Sequence, residues 1–152
     1  MRWPGVPSGT DSGWRYHLDL FATLTGMAGA EVPKHWDGQG FAGELRSGDA
    51  SSGRDELVLS AAAWTVQRSL RWEDRLYVRT RHDGHHGYAE EMLYDLVADP
   101  HLQDDLAPGH PQVVAAARAR LEELASALPD TPPGRVNPPS LVTGDGRPFH
   151  CW

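Results

Sequence analysis

Alternation of period two between Glu56 and Leu96 is the feature that most restricts what this chain can fold into. Trp64, Val66, Leu70 and Trp72 fall on one side, and Thr65, Gln67, Ser69 and Arg71 on the other, the pattern of a strand with one buried face. Glu73-Asp74 offers a tight turn into Arg75 to Arg81, where Leu76 and Val78 alternate with Tyr77 and Arg79, so an antiparallel hairpin is expected. A third strand, Met92 to Leu96, leads to Asp99-Pro100, an N-cap followed by proline at the first helical position that predicts a short helical turn. Half-buried strands need a cover, and the chain encodes one. Pro111 opens a helix in which Val113, Ala117, Leu121, Leu124 and Leu128 recur at four, four, three and four residues before Pro129 stops it. The expected fold is α+β: a small antiparallel sheet of three or four strands packed by this C-terminal helix.

Upstream, Leu20, Phe21, Leu24, Met27 and Ala28 sit at helical spacing within His17 to Ala28, with Gly29 as the stop signal. So short a helix is marginal alone in water, and its stripe requires partner structure. Val32 to Phe41, with Pro33 and the turn pair Asp37-Gly38, reads as loop, and Gly43 to Arg54, polar and rich in Ser and Gly, as a linker. After Pro129 the run Thr-Pro-Pro-Gly-Arg-Val-Asn-Pro-Pro has too few backbone donors for regular structure and is expected to be extended.

Composition removes several classes. At 152 residues the chain suits one domain or a large piece of one. Fourteen Lys plus Arg against 21 Asp plus Glu give a net charge of −7 with no basic cluster, and Lys34 is the only lysine, which argues against a nucleic-acid partner. No apolar run reaches the roughly 18 residues that cross a bilayer, so no membrane span is expected and the chain reads as soluble. The single cysteine, Cys151, is followed only by Trp152, which excludes an intrachain disulfide and a multi-cysteine zinc site and indicates no compartment. Met1 to Thr10 lacks the basic and apolar regions of a signal peptide.

Trp3-Pro4-Gly5, Leu18-Asp19-Leu20 with Thr23-Leu24 and Gly29, and then Pro33 and Asp37-Gly38 together resemble the stretch of a sulfatase that closes its large α/β domain. Leu93-Tyr94-Asp95-Leu96, Asp99-Pro100 and Asp105-Leu106-Ala107 look like the hallmark of the sulfatase C-terminal subdomain, and the order of motifs holds from about Arg2 to Leu128. Two positions depart from the family pattern: Ala22 stands where proline is usual, and Leu102 where an acidic residue is common.

The resemblance implies the C-terminal portion of an arylsulfatase-like member of the alkaline phosphatase superfamily. Residues 1–54 would be the terminal remnant of the α/β catalytic domain with its linker, 55–129 the antiparallel-sheet subdomain with its helix, and 130–152 a Pro-rich tail. The complete enzyme would hydrolyse a sulfate ester on a small molecule or glycan, using calcium and a formylglycine made within Cys/Ser-x-Pro/Ala-x-Arg. Such chemistry needs a nucleophile, a cation for the developing charge and basic groups on the sulfate oxygens.

None of these is recognisable in this chain. Cys151 has no following motif, and Ser60-Ala-Ala-Ala-Trp ends in tryptophan where arginine is needed. Asp104-Asp105 follow the last strand instead of ending the first, and Asp83-Gly84-His85 has the wrong order and place for the family's ligand motif. The chain alone is therefore expected to be inactive, with no catalytic residue, metal ligand or cofactor of its own. Its partner would be a missing N-terminal catalytic domain or a separate catalytic chain.

The densest polar cluster is Arg81-His82-Asp83-Gly84-His85-His86-Gly87, directly after a predicted strand. Three imidazoles and a carboxylate at this spacing suit a transition metal. The same residues also suit a solvated hairpin end with Gly84 and Gly87 supplying the turns. A third reading makes His82, Asp83, His85 and His86 a substrate-binding loop at the mouth of the catalytic pocket, since histidine and arginine donate to sulfate oxygens. His17 and Asp19, two apart on a helix, read as helix-end capping instead of an acid/base pair. Glu90-Glu91, adjacent in a strand, read as surface charges. Trp64 and Trp72 suit a sugar-stacking platform, but their even spacing with Val66 and Leu70 favours the core.

Two rivals remain. One is a non-catalytic interaction subunit that docks on a catalytic chain through Leu20, Leu24 and Met27. The other is the C-terminal part of a related phosphodiesterase or phosphonate hydrolase, which only the absent nucleophile motif would separate from a sulfatase.

Overall fold

A computed structural model describes residues 3–48 and 53–126. The chain divides into two compact units, residues 1–55 and 56–152. The expected Pro-rich tail lies outside the described residues, as does Leu128.

The second unit is a four-stranded antiparallel sheet in sequential order, β1 (Glu56–Ala61), β2 (Val66–Trp72), β3 (Arg75–His82) and β4 (Glu91–Asp95), followed by a 3-10 turn (Ala107–Gly109) and a helix, α3 (Pro111–Ser126), that packs on it. Sequential hairpins explain the order, because each strand turns directly back on its predecessor. The Glu73-Asp74 turn holds, with Trp72 opposite Arg75 and Glu73 at φ 44°. Register places Val58, Leu70, Tyr77 and Leu93 in one row across the sheet. From α3, Val114, Ala117 and Leu121 meet this row, and the cluster of Leu70, Tyr77, Leu93 and these three is the main core. Leu76, Val78, Met92 and Tyr94 point to the opposite face and form a second cluster.

Charged side chains fix how α3 lies. Arg118 makes a two-pronged contact with Glu91 of β4, Arg120 does the same with Glu56 of β1, and Glu122 pairs with Arg79 of β3. Exposed pairs of this kind add little net stability, but the three contacts tie about one turn of the helix to three strands. Glu91 is therefore not the ordinary surface charge its neighbour Glu90 suggested. It also accepts a hydrogen bond from the buried Tyr77 hydroxyl, and the guanidinium of Arg118 holds its carboxyl below the usual range. Removal from water, followed by the Glu91 contact, pushes the Tyr77 phenol upward.

The alternation of β2 breaks where it was expected to begin. A register shift between Val66 and Gln67 interrupts the ladder, so Trp64 leaves the sheet and is 82% exposed while Leu70 is 2% exposed. The expected core role of Trp64 is thus overturned: beyond a bulge, sequence parity no longer predicts the face. Trp72 keeps its place against the core.

In the first unit, α1 (His17–Met27) is the expected helix, but it buries another face. Asp19, Ala22, Thr23 and Met27 point inward, whereas Leu18, Leu20 and Phe21 are exposed. The cause is Asp19, whose carboxylate accepts the Arg54 fork at 3.0 and 2.7 Å and the backbone N–H groups of Tyr16 and Gln39, each at 2.7 Å. Thr23 extends the network, donating to the Asp19 carbonyl at 2.7 Å and accepting from the Phe41 N–H at 2.9 Å. Helix-end capping by Asp19 holds, and Arg54 adds a long-range partner. The stretch expected to be only a linker contains α2 (Ala42–Ser47), ended by Gly48 in the left-handed conformation.

Gly38 lies so close to α1 that a Cβ there would sit 2.2 Å from the Leu18 carbonyl oxygen. Because that neighbour is backbone, Gly38→Ala is expected to cost about 2 kcal/mol, read as a lower urea midpoint with an unchanged m-value. A midpoint equal to that of the unmodified protein would contradict this contact.

Candidate functional site

The loop from β3 to β4 carries all four candidate site residues. His82 closes β3, and its Nδ1 accepts the Gly84 N–H at 3.1 Å. In the neutral ring the proton then sits on Nε2, which is left as a donor. Asp83 points its carboxylate into the loop, where Oδ1 accepts the His85 N–H and Oδ2 the Gly87 N–H, both at 3.1 Å. These two backbone donors hold its carboxyl below the ordinary value. His85 and His86 are exposed, with the His82 and His85 rings edge to face at 6.0 Å and the His86 ring 5.6 Å from that of Tyr88.

The sequence places this apex where a side chain cannot follow. Gly84 has φ 62° and a Cβ there would lie 2.1 Å from the Trp64 carbonyl oxygen, so glycine is what lets the loop rest on the segment entering β2. His85 takes a left-handed φ of 68° and Gly87 one of 75°. The structure thus brings His82, Asp83, His85 and His86 into one loop and adds two residues beside it, Trp64 and Tyr88, both exposed. Sequence reasoning assigned Trp64 to the core and did not single out Tyr88. A hint was present in the run Ala61-Ala62-Ala63, which supplies no bulky partner for an indole.

What this loop can do chemically follows from its donors. Asp83 is engaged by the loop's own amides, which leaves imidazole N–H groups and aromatic faces toward solvent. Among the described residues, no group of three or more His, Cys, Asp or Glu side chains is arranged to hold a metal. Calcium therefore finds no fitting donor set in the described part of this chain. His17 is exposed, and Asp19 is spent on Arg54. Asp105 Oδ1 accepts the Leu93 and Ala107 N–H groups at 3.0 and 2.9 Å, which ties the end of β4 to the segment after it. No described helix is long and apolar enough to cross a membrane.

The first unit presents an apolar cleft of about 360 Å³ lined by Leu18, Phe21, His35, Trp36, Asp37 and Gly38. Leu18 and Phe21 are 52% and 60% exposed, so the exposed patch of α1 is centred on them. Of the stripe named from sequence as a docking surface, Met27 is buried and Leu24 partly so, because the Asp19 network rotates the helix.

No family model and no curated protein matches the sequence. Solved structures do. A 2-O GAG sulfatase is 25% identical, with 71% of this chain and 24% of that one covered at a TM-score of 0.57. A structure described as a sulfatase from Bacteroides thetaiotaomicron VPI-5482 is 26% identical over the same shares, also at 0.57. Ps i-CgsB, 17% identical, covers 81% of this chain and 27% of its own at 0.54, a likeness of fold alone. The chain is thus similar to sulfatases, and it spans about a quarter of the length of those it matches.

Proposed function

We propose that this chain is the C-terminal portion of a hydrolase that cleaves sulfate esters, and that it is catalytically silent without the rest of the enzyme. The observation that carries this reading is the 25 to 26% identity to sulfatases over 71% of the chain, on about a quarter of their length. The formylglycine nucleophile and calcium, which supply attack at sulfur and charge neutralisation, would belong to the remaining portion. This chain's own contribution is structural support and, through His82, His85 and His86, N–H donors toward an anionic substrate, with Asp83 holding the loop in shape.

The cleft beside Leu18, Phe21 and Trp36 is read as the seat of the catalytic portion. Two observations support that occupant: about three quarters of the matched sulfatases' length has no counterpart in this chain, and these three side chains are exposed together, as a surface made for covering would be.

The test has two arms. Purified chain is incubated with a chromogenic aryl sulfate and calcium, and no turnover above a buffer blank is expected; turnover that survives repurification overturns the proposal. In the second arm the chain is co-expressed with a polypeptide carrying Cys/Ser-x-Pro/Ala-x-Arg encoded upstream of it. Turnover of the aryl sulfate is expected, and it should be lost with Phe21→Asp. Activity of the upstream polypeptide that is indifferent to this chain would contradict the assignment.

A further inference from the structure

We infer that His82 is a pH-sensitive latch on the loop between β3 and β4, holding the apex closed while its imidazole is neutral and releasing it when the ring takes a proton. The latch concerns the shape of the loop, so it goes beyond the substrate reading above and does not rest on it. One hydrogen bond of fixed direction carries it. The Gly84 N–H donates to His82 Nδ1 at 3.1 Å, and only an unprotonated ring nitrogen can accept. An imidazolium carries a proton on both nitrogens, so Nδ1–H and the Gly84 N–H would then face each other as two donors. The contact cannot survive that change.

What the bond holds is the tightest point of the loop. Gly84 has φ 62°, and the place of its Cβ is taken by the Trp64 carbonyl oxygen, 2.1 Å away. His85, next in the chain, has φ 68°, a left-handed conformation that a residue with a side chain adopts only when its surroundings impose it. The loop's other anchor does not change in the same range. Asp83 accepts the His85 and Gly87 N–H groups, which hold its carboxyl below the ordinary value, so it stays ionised across the span from about pH 5 to 8 in which histidines change charge. Among the described residues, the charged and titratable groups about the ring come from the strand, the loop and the start of β4. Arg81 and Asp83 flank it, the His85 ring meets it edge to face at 6.0 Å, and His86 Cδ2 would lie 3.2 Å from a Cβ on Gly84. Glu90 closes the base of the loop through its carbonyl, which accepts the Thr80 N–H at 2.8 Å. The β2 residue opposite His82 is Val66, which carries no charge.

The experiment is NMR of the 15N-labelled full chain at about pH 8 and about pH 5, the two sides of histidine titration. At the higher pH the His82 ring should show a bare Nδ1 and a protonated Nε2, with the Gly84 amide proton moved downfield by its acceptor. At the lower pH that amide should move upfield, and the heteronuclear NOE of Gly84 and His85 should drop as the apex opens. His82→Asn keeps an oxygen acceptor near the same place without a titrating ring, so its Gly84 signals should stay where they are through the whole range. His85→Gln and His86→Gln should each leave the transition in place. A His82 ring protonated on Nδ1 at the higher pH, Gly84 signals that do not differ between the two conditions, or a transition that persists in His82→Asn would each overturn the latch. The ring tautomer and the Gly84 signals are read on the unmodified chain, so they decide the matter even where a variant does not fold.

Discussion

Asp19→Asn should lower the stability of the fold around α1 by about 3 kcal/mol. The magnitude follows from breaking a buried pair on one side only, which leaves the partner charge uncompensated. Asp19 is 1% exposed, and its carboxylate receives four hydrogen bonds, two from Arg54 and two from backbone. The Arg54 side chain keeps 20% exposure, so the expected value is set at the low end of the range for such losses. Amide exchange at Gln39 is the sharpest readout, because that N–H loses its charged acceptor, and its protection should fall with the global midpoint. Arg54→Met should be less damaging when combined with Asp19→Leu than when made alone, since the double change leaves no orphaned charge. Equal losses from Arg54→Met with and without the second change would refute this account.

The same pair fixes a pH dependence. Burial alone would raise the Asp19 carboxyl, but the Arg54 contact and the Gln39 and Tyr16 amides more than offset it, and the net shift is downward. A carboxyl depressed in the folded state contributes stability that is fully present above its unfolded value of about 3.9. That stability is lost as pH falls from there through the lower folded value. The acid-unfolding curve should accordingly be steeper below about pH 4 in the unmodified protein than in Asp19→Asn. Superimposable curves would assign the acid transition to other carboxylates.

Leu70→Ala is the second large effect, at about 3 kcal/mol, because Leu70 is 2% exposed in the row between Val58 and Tyr77 and beneath α3. Truncation there removes apolar burial and leaves a cavity that a four-stranded sheet cannot easily close. Trp64→Ala, six residues away on what sequence parity calls the same face, should change stability by less than about 0.5 kcal/mol. Urea denaturation of the two variants checks the contrast. Similar midpoints would mean that Trp64 is covered in solution and that the bulge does not eject it.

These two leucine and tryptophan positions also show how far the sequence could be read. The Glu73-Asp74 hairpin, the strand ending at Asp95 and the helix from Pro111 were legible because each is set by local periodicity and by turn or stop residues. The four histidine-loop residues were legible as a cluster, since they are contiguous. The break at Val66 was not, because a bulge is a property of the pairing and not of one strand. The role of Glu91 was hidden for a similar reason: its partners, Tyr77 and Arg118, lie 14 and 27 residues away.

By itself the sequence determined the class of fold, a small antiparallel sheet under a helix, because the two hydrophobic periods and their punctuation are written in neighbouring residues. It also carried the sulfatase resemblance, in motifs that are each short and continuous. Tertiary structure alone decided which face α1 buries, since a carboxylate and a guanidinium 35 residues apart outweigh the apolar stripe between them: an unpaired charge costs more to bury than a phenylalanine costs to expose. It likewise decided that Trp64 belongs beside the histidines, through a glycine whose missing side chain brings two loops into contact.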